Sequence, residues 1–188
     1  VYKRQVDEGV SQSDYHVTTQ VVENMMHHKA TIMLMSEQAD SDVLVVDMGM
    51  KEKVEGVLDM SLMRGTANMA EGPAMRRETA VKAIEAGAFL AMRKAGEGYR
   101  LFATGEMGIG NTTSSSAVLA VLSGEPVSVV TGRGAGLSGE GLERKIKTVE
   151  KAIHVNKPDP SDPLDVLSKV GGLDIAGLTG VFLGAAAA

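Results

Sequence analysis

The stretch from Tyr99 to Leu122 constrains the fold more than any other part of the chain. An extended segment, Tyr99–Thr104, runs into Gly105–Glu106–Met107–Gly108–Ile109–Gly110–Asn111–Thr112–Thr113, and a small-residue helix follows from about Thr112 to Leu122. Strand, glycine bend and helix in that order form the unit from which parallel sheets are built. Val43–Asp47, ending in Met48–Gly49, reads as a second buried parallel strand, and Val127–Val130 as a third strand or a short extended piece. Helices are expected over Val17–Glu37, over Ala74–Ala95 with a stripe through Ala80, Val81, Ile84, Ala88 and Ala91, and from a Ser138 cap through Leu142, Ile146, Val149 and Ile153. Asp162–Pro163 reads as the cap and first turn of a further short helix. Gly177, Gly180 and Gly184 fall on one side of the last segment, which suits close helix packing, and residues 50–73 are mostly loop. The alternation implies an α/β domain on a mostly parallel sheet.

Composition narrows the function classes. The chain has 188 residues, enough for one sizeable core, and a net charge of −5, which leaves no basic stripe to neutralise nucleic-acid phosphates. It has no cysteine, so disulfides and thiolate metal sites are excluded and a reducing, cytoplasmic setting is the expectation. The longest apolar run, Gly171–Ala188, carries Asp174 and is short for a bilayer span, so no membrane partner is expected. Val1–Tyr2–Lys3–Arg4–Gln5 reads like the translation of a sequencing adaptor, and these five residues are expected to be non-native. Residues 6–188 are expected to be part of a longer domain, because Gly184–Ala188 stops within a helix-forming stretch without a cap.

In parallel sheets, ligands bind beyond the carboxyl ends of the strands. Asp47–Gly49, Gly105–Thr113 and Gly132–Gly136 fall there. In the middle segment Gly105, Gly108 and Gly110 let the backbone approach a ligand, the helix start offers amides to a phosphate, and Thr112 and Thr113 add hydroxyls. The alternative is a tight turn capped by Asn111. Glu106 beside a phosphate would be repelled, so it is expected to face an azole N–H or a developing cationic ribose, and desolvation there would suit it to act as a base. A surface glutamate bonding the turn amides is the other reading. Gly134–Ala135–Gly136–Leu137–Ser138–Gly139 matches a dinucleotide fingerprint, but the mechanism needs a further strand after the helix, and His154–Pro160 reads as loop. Lys145, about two turns into that helix, is placed to reach back toward a phosphate, or else belongs to a solvated basic face with Arg144, Lys147 and Lys151. His27 and His28 are adjacent and make a poor metal pair, and the methionines read as core.

Gly105–Thr113, Arg64–Gly65–Thr66–Ala67, Glu71–Gly72–Pro73–Ala74–Met75, Gly132–Gly136, Gly141–Leu142–Glu143–Arg144–Lys145, Asp162–Pro163–Leu164 and Gly171–Gly172–Leu173–Asp174–Ile175–Ala176 together resemble the nicotinate-nucleotide–dimethylbenzimidazole phosphoribosyltransferase family. The resemblance spans roughly Gly9 to Ala188. It implies a mostly parallel Rossmann-like sheet flanked by helices, part of a small helical subdomain, and a homodimer. The reaction it implies transfers phosphoribose from nicotinate mononucleotide to a benzimidazole-type base in cobamide assembly, with no metal or redox cofactor. It implies that Glu106 is one of the active-site carboxylates, and that Gly105, Met107, Gly108, Asn111 and Thr112 line the base and ribose. Gly134, Gly136 and Lys145 match positions that hold the phosphate, and Gln12 and Gln20 match positions at the base pocket. The family's principal general-base glutamate lies C-terminal to the matching region, so the chain alone is expected to be inactive. Ser13–Asp14 stands where the family usually has an aromatic residue and proline, and Lys29–Ala30 where Gly-Gly is common; a purine or phenolic acceptor is therefore open. A Rossmann-type dinucleotide-binding domain and a non-catalytic nucleotide or azole sensor are the alternative readings.

Overall fold

The computed structural model describes residues 1–188. After a 3₁₀ turn at Arg4–Glu8 come α1 His16–Met26, α2 Thr31–Gln38, β1 Val46–Asp47, β2 Leu58–Asp59, α3 Arg77–Gly96, α4 Asn111–Ser123, α5 Val127–Val130, α6 Gly139–Asn156, α7 Pro163–Val170 and α8 Leu173–Ala187. β1 and β2 pair in parallel, Val46 opposite Leu58 and Asp47 opposite Asp59. The architecture is therefore mixed helix and sheet with a small parallel ladder. No helix is long and apolar enough to cross a membrane.

The core is held by helices whose ends are set by local chemistry. Asp162 Oδ1 accepts from the amides of Leu164 and Asp165, both at 3.1 Å, and Pro163 opens α7 where a missing N–H costs nothing. Ser138 Oγ accepts from Gly141 N at 3.1 Å to start α6, which ends at Lys157 in the left-handed region (φ 44°). The buried faces of α3, α4, α6, α7 and α8 meet in one cluster that includes Ala83, Ala117, Val149, Val166, Val170 and Leu173. Each buried Val or Leu there contributes roughly 1.5–3 kcal/mol. α3 and α8 pack at backbone distance. A Cβ added at Gly180 would lie 1.9 Å from the Ile84 carbonyl oxygen, and one at Gly87 would lie 2.0 Å from that of Gly177.

Of residues 1–5, Val1, Lys3 and Gln5 are buried, Tyr2 is half-buried and Arg4 is exposed. Lys3 Nζ lies 2.5 Å from Asp174 Oδ2, and Gln5 Nε2 donates to Ser114 Oγ at 2.8 Å. Burial alone would raise the Asp174 carboxyl; the charge and hydrogen bond of Lys3 outweigh it and leave the group below its ordinary value.

Four expected elements differ. Val17–Glu37 is two helices, because the helix breaks at His27–Ala30, with His28 left-handed (φ 55°) and Lys29 N bonded back to Asn24 O at 2.7 Å. Met25 and Ile32 are seven residues apart, a spacing that one helix and two helices share. α3 starts at Arg77 rather than Ala74, because the amides of Ala74 and Met75 bond the carbonyls of Lys169 and Ser168, each at 2.9 Å. Val127–Val130 is one helical turn rather than a strand: Pro126 precedes it and its carbonyl accepts from Val129 N at 2.9 Å. Tyr99–Thr104 forms no ladder, and Leu101 is 88% exposed. A strand exists only through hydrogen bonds to a neighbour, and here that segment has none. A broad parallel sheet is accordingly not present among these elements.

Candidate functional site

Two glycine-rich bends converge at the start of α4. The first, Gly105–Gly110, is tied to α1 and to the first turn of α4. Ile109 N donates to Thr18 Oγ1 at 3.1 Å, Asn111 N to Gly108 O at 3.1 Å, Thr112 N to Asn111 Oδ1 at 2.6 Å, and Thr113 N to Gly110 O at 3.2 Å. The amides of Asn111, Thr112 and Thr113 at this helix start are thus taken, whereas those of Gly105, Glu106, Met107, Gly108 and Gly110 take no acceptor in the chain. Gly108 is there because the chain passes against Val1, whose carbonyl oxygen would lie 2.6 Å from an added Cβ, while Gly105 has open space around it. The Met107 carbonyl accepts from the amino group of Val1 at 3.2 Å.

Glu106 is exposed, and the Asn111 side-chain amide donates to its carboxylate. The desolvation expected for it is absent in this chain, although Asn111 keeps the carboxylate over the bend. Gln12 and Gln20 are exposed and bond neither bend. α1 instead touches the first bend through Thr18, which is buried; Gln20, two residues on, points to a different side of the helix. Sequence reasoning misses Thr18. Its signal is its place four residues before the buried Val22, a polar residue in the buried stripe.

The second bend is open. Gly134 (φ 57°) and Gly136 (φ 89°) are left-handed, and no acceptor in the chain takes the amides of Gly134, Ala135 or Gly136. Lys145 of α6 reaches back toward it: its ammonium donates to Thr112 Oγ1 at 2.8 Å and to Gly132 O at 3.0 Å. An added Cβ at Gly134 would lie 3.0 Å from Thr112 Oγ1 and 3.4 Å from Lys145 Nζ. The structure therefore brings Thr112, Gly134 and Lys145 to one point. Lys145 belongs to no solvated face: its residue is 1% exposed, it has no carboxylate partner, and burial lowers its pKa below the ordinary lysine value. An ammonium has three donors and only two are used. Open amides around a cation short of one partner suit an oxyanion such as a phosphate.

At the end of β1, Asp47 is spent on its own loop. Oδ1 accepts from Gly49 N at 2.7 Å and Met50 N at 2.6 Å, and Oδ2 from Arg64 at 2.9 Å. It anchors residues 50–64 rather than offering a ligand. The dinucleotide fingerprint also loses its context, since α6 leads through a loop into α7 and no strand follows. Clefts of ≈540 and ≈520 Å³ lie elsewhere, one lined by Arg4, Asp7, Asn68 and Glu71, the other by Met25, Met33 and Val45; neither bend lines them.

The model of a family described as Phosphoribosyltransferase matches residues 5–188. The nicotinate-nucleotide–dimethylbenzimidazole phosphoribosyltransferase of Geobacter metallireducens is 49% identical over 185 residues, covering 97% of this chain and 52% of that protein. The protein of the same name from Acetivibrio thermocellus is 48% identical over 184 residues, covering 97% and 52%. The crystal structure of CobT from Thermus thermophilus superposes with a TM-score of 0.93 at 39% identity, over 100% of this chain and 57% of that one. The chain spans about half the length of the curated relatives it matches. A match over nearly all of the chain, at identities approaching one half, leaves one conclusion: the chain belongs to the nicotinate-nucleotide–dimethylbenzimidazole phosphoribosyltransferase family.

Proposed function

We propose that this chain, within the full-length protein, transfers the 5-phosphoribosyl group of nicotinate mononucleotide to 5,6-dimethylbenzimidazole or a related base, giving an α-ribazole 5′-phosphate and nicotinate in cobamide assembly. The observation that carries the reading is the buried, carboxylate-free Lys145 ammonium beside the open amides of Gly134–Gly136. These groups hold the 5′-phosphate, and Thr112 fixes the ammonium against it. The ribose then lies toward the first bend, where Gly105, Met107 and Gly108 border it and Asn111 steadies Glu106. Gln12 and Gln20 stand at the edge of the base pocket.

The chemistry asks little beyond placement. The pyridinium nitrogen of nicotinate mononucleotide leaves with the pair of electrons of the glycosidic bond, becoming neutral pyridine nitrogen. An azole nitrogen of the incoming base forms the new bond to the anomeric carbon from the opposite face, so the centre inverts, and the azole proton passes to a carboxylate and on to solvent. Glu106 lies where such a carboxylate is needed, and a flat base seated over the bend would strip water from it. The same reading gives the full-length protein a Rossmann-like sheet, a homodimeric state, a cytoplasmic location and small-molecule substrates only.

The test is nicotinate release by the full-length protein given nicotinate mononucleotide and a panel of benzimidazoles, purines and phenols. Release should require an acceptor. Lys145→Ala should raise KM for the nucleotide about ten- to hundredfold, the worth of a charged hydrogen bond, and Glu106→Gln should lower kcat about tenfold or more. Release without any acceptor, or no release with any, would overturn the assignment; an unchanged rate in Glu106→Gln would remove that residue's role.

A further inference from the structure

α4 presents Thr112 and, one turn later, Ser116 on the same face. Thr112 holds the Lys145 ammonium, and Ser116, itself buried, donates through Oγ to the carbonyl of Val130 at 3.1 Å. Val130 is two residues ahead of Gly132, whose carbonyl accepts from the same ammonium at 3.0 Å. Besides these two bonds, the loop entry is held by Val127, which packs against the core. Thr131 between them has a buried hydroxyl with no partner, and no ladder holds residues 127–130, which form a single helical turn. Beyond the entry, Arg133 bonds only within the loop, donating to Leu137 O at 2.7 Å.

We propose that Ser116 is a positioning residue for the Gly132–Gly136 bend: it sets the distance between α4, which carries Thr112, and the three open amides. The proposal rests on the reading of Gly134–Gly136 and Lys145 as the phosphate cradle. If the Ser116 bond is lost, only the Lys145–Gly132 bond and the packing of Val127 hold this segment against α4, so the bend can shift and its three amides no longer meet one phosphate together with the ammonium. The first bend, with Glu106, is tied to Thr18 and to the turn at Asn111–Thr113, by bonds that do not involve Ser116, and stays in place. Ser116 should therefore act on the nucleotide alone and leave the acceptor base untouched.

The test uses the full-length protein and two readouts, the kinetics of both substrates and inhibition by inorganic phosphate. Ser116→Ala should raise KM for nicotinate mononucleotide about three- to tenfold, the range expected for one hydrogen bond, and raise the phosphate inhibition constant by the same factor. kcat and KM for the base should stay within about twofold. Ser116→Thr, which keeps a hydroxyl, should stay near the parent in all four quantities. An unmoved nucleotide KM in Ser116→Ala would overturn the proposal. So would a change in which kcat and both KM values move together, or a Ser116→Thr variant as impaired as the alanine. Lys145→Ala separates the two levels. If it weakens nucleotide and phosphate while Ser116→Ala does not, the positioning role alone fails; if neither responds, the cradle fails with it.

Discussion

The glycines of α8 and those of the Gly132–Gly136 bend are the same residue used for opposite reasons. In α8 the conformation is ordinary helix, and what matters is that no side chain stands between two backbones. Added Cβ atoms at Gly180 and Gly184 would strike α3 main chain, and the Gly177 carbonyl lies against Gly87 of α3. In the bend, Gly136 has nothing within 4 Å of where a Cβ would be, yet its φ of 89° is one that other residues avoid. The first set allows approach, and the second turns amides outward. A sequence shows glycine in both places; the neighbours decide which property is used.

The largest expected effect falls on the packed set. Gly180→Ala gains about 1 kcal/mol of helix propensity. It also drives a methyl to 1.9 Å from the Ile84 carbonyl oxygen and 2.8 Å from Ala88 N, backbone atoms that cannot rotate aside. Relieving that means separating α3 from α8, and overpacking of this kind costs about 3 kcal/mol or more. The clash wins, so guanidinium denaturation of the full-length protein should show a net loss of about 2 kcal/mol. A stability equal to or above the parent's would show that the helices do not approach this closely.

The parts of the fold that rest on local rules are legible in the sequence. Asp162–Pro163 and Ser138 announce helix starts that the structure bears out bond by bond, and the spacing of Gly177, Gly180 and Gly184 announces a close crossing. What stays hidden depends on distant partners. Nothing in Tyr99–Thr104 tells whether a neighbouring strand is there to pair with it, and Val127–Val130 is β-branched enough to pass for a strand until Pro126 starts a turn. At the site, nothing in the glycine-rich first bend tells that its Ile109 amide is held by Thr18, 91 residues away. Lys145 sits among Arg144, Lys147 and Lys151, and only the fold separates the one buried cation from its neighbours along the helix.

Lys145 sharpens the contrast at a second level of effect. Burial lowers its pKa below the ordinary 10.5, so between the two values the unfolded chain binds the extra proton. Stability contributed by this site is therefore lower on the acid side and rises with pH across that window, while the ammonium needed by a phosphate disappears across the same window. KM for nicotinate mononucleotide should accordingly climb about tenfold on the alkaline side as a charged hydrogen bond is lost, with its midpoint below 10.5. Lys145→Arg, charged throughout, should flatten the profile. A KM that stays constant through pH 10.5 in the parent would mean that the ammonium does not face the phosphate.

The smallest effects separate the two glycines within the open bend. Gly136→Ala meets no atom and carries only the left-handed penalty of about 1 kcal/mol, so it should lower stability by that amount and raise nucleotide KM no more than about fivefold. Gly134→Ala carries the same backbone penalty, and its methyl would in addition stand 3.0 Å from Thr112 Oγ1 and 3.4 Å from Lys145 Nζ. Those atoms end a short side chain and a long flexible one, so the fold can yield there at little cost in stability. Yielding, however, displaces the ammonium. The two variants should thus be nearly equal in denaturation and unequal in kinetics, with Gly134→Ala the worse for the nucleotide and neither altering KM for the base. Equal kinetics would show that Lys145 can move without consequence, and the bend would then differ from α8 in conformation but not in use.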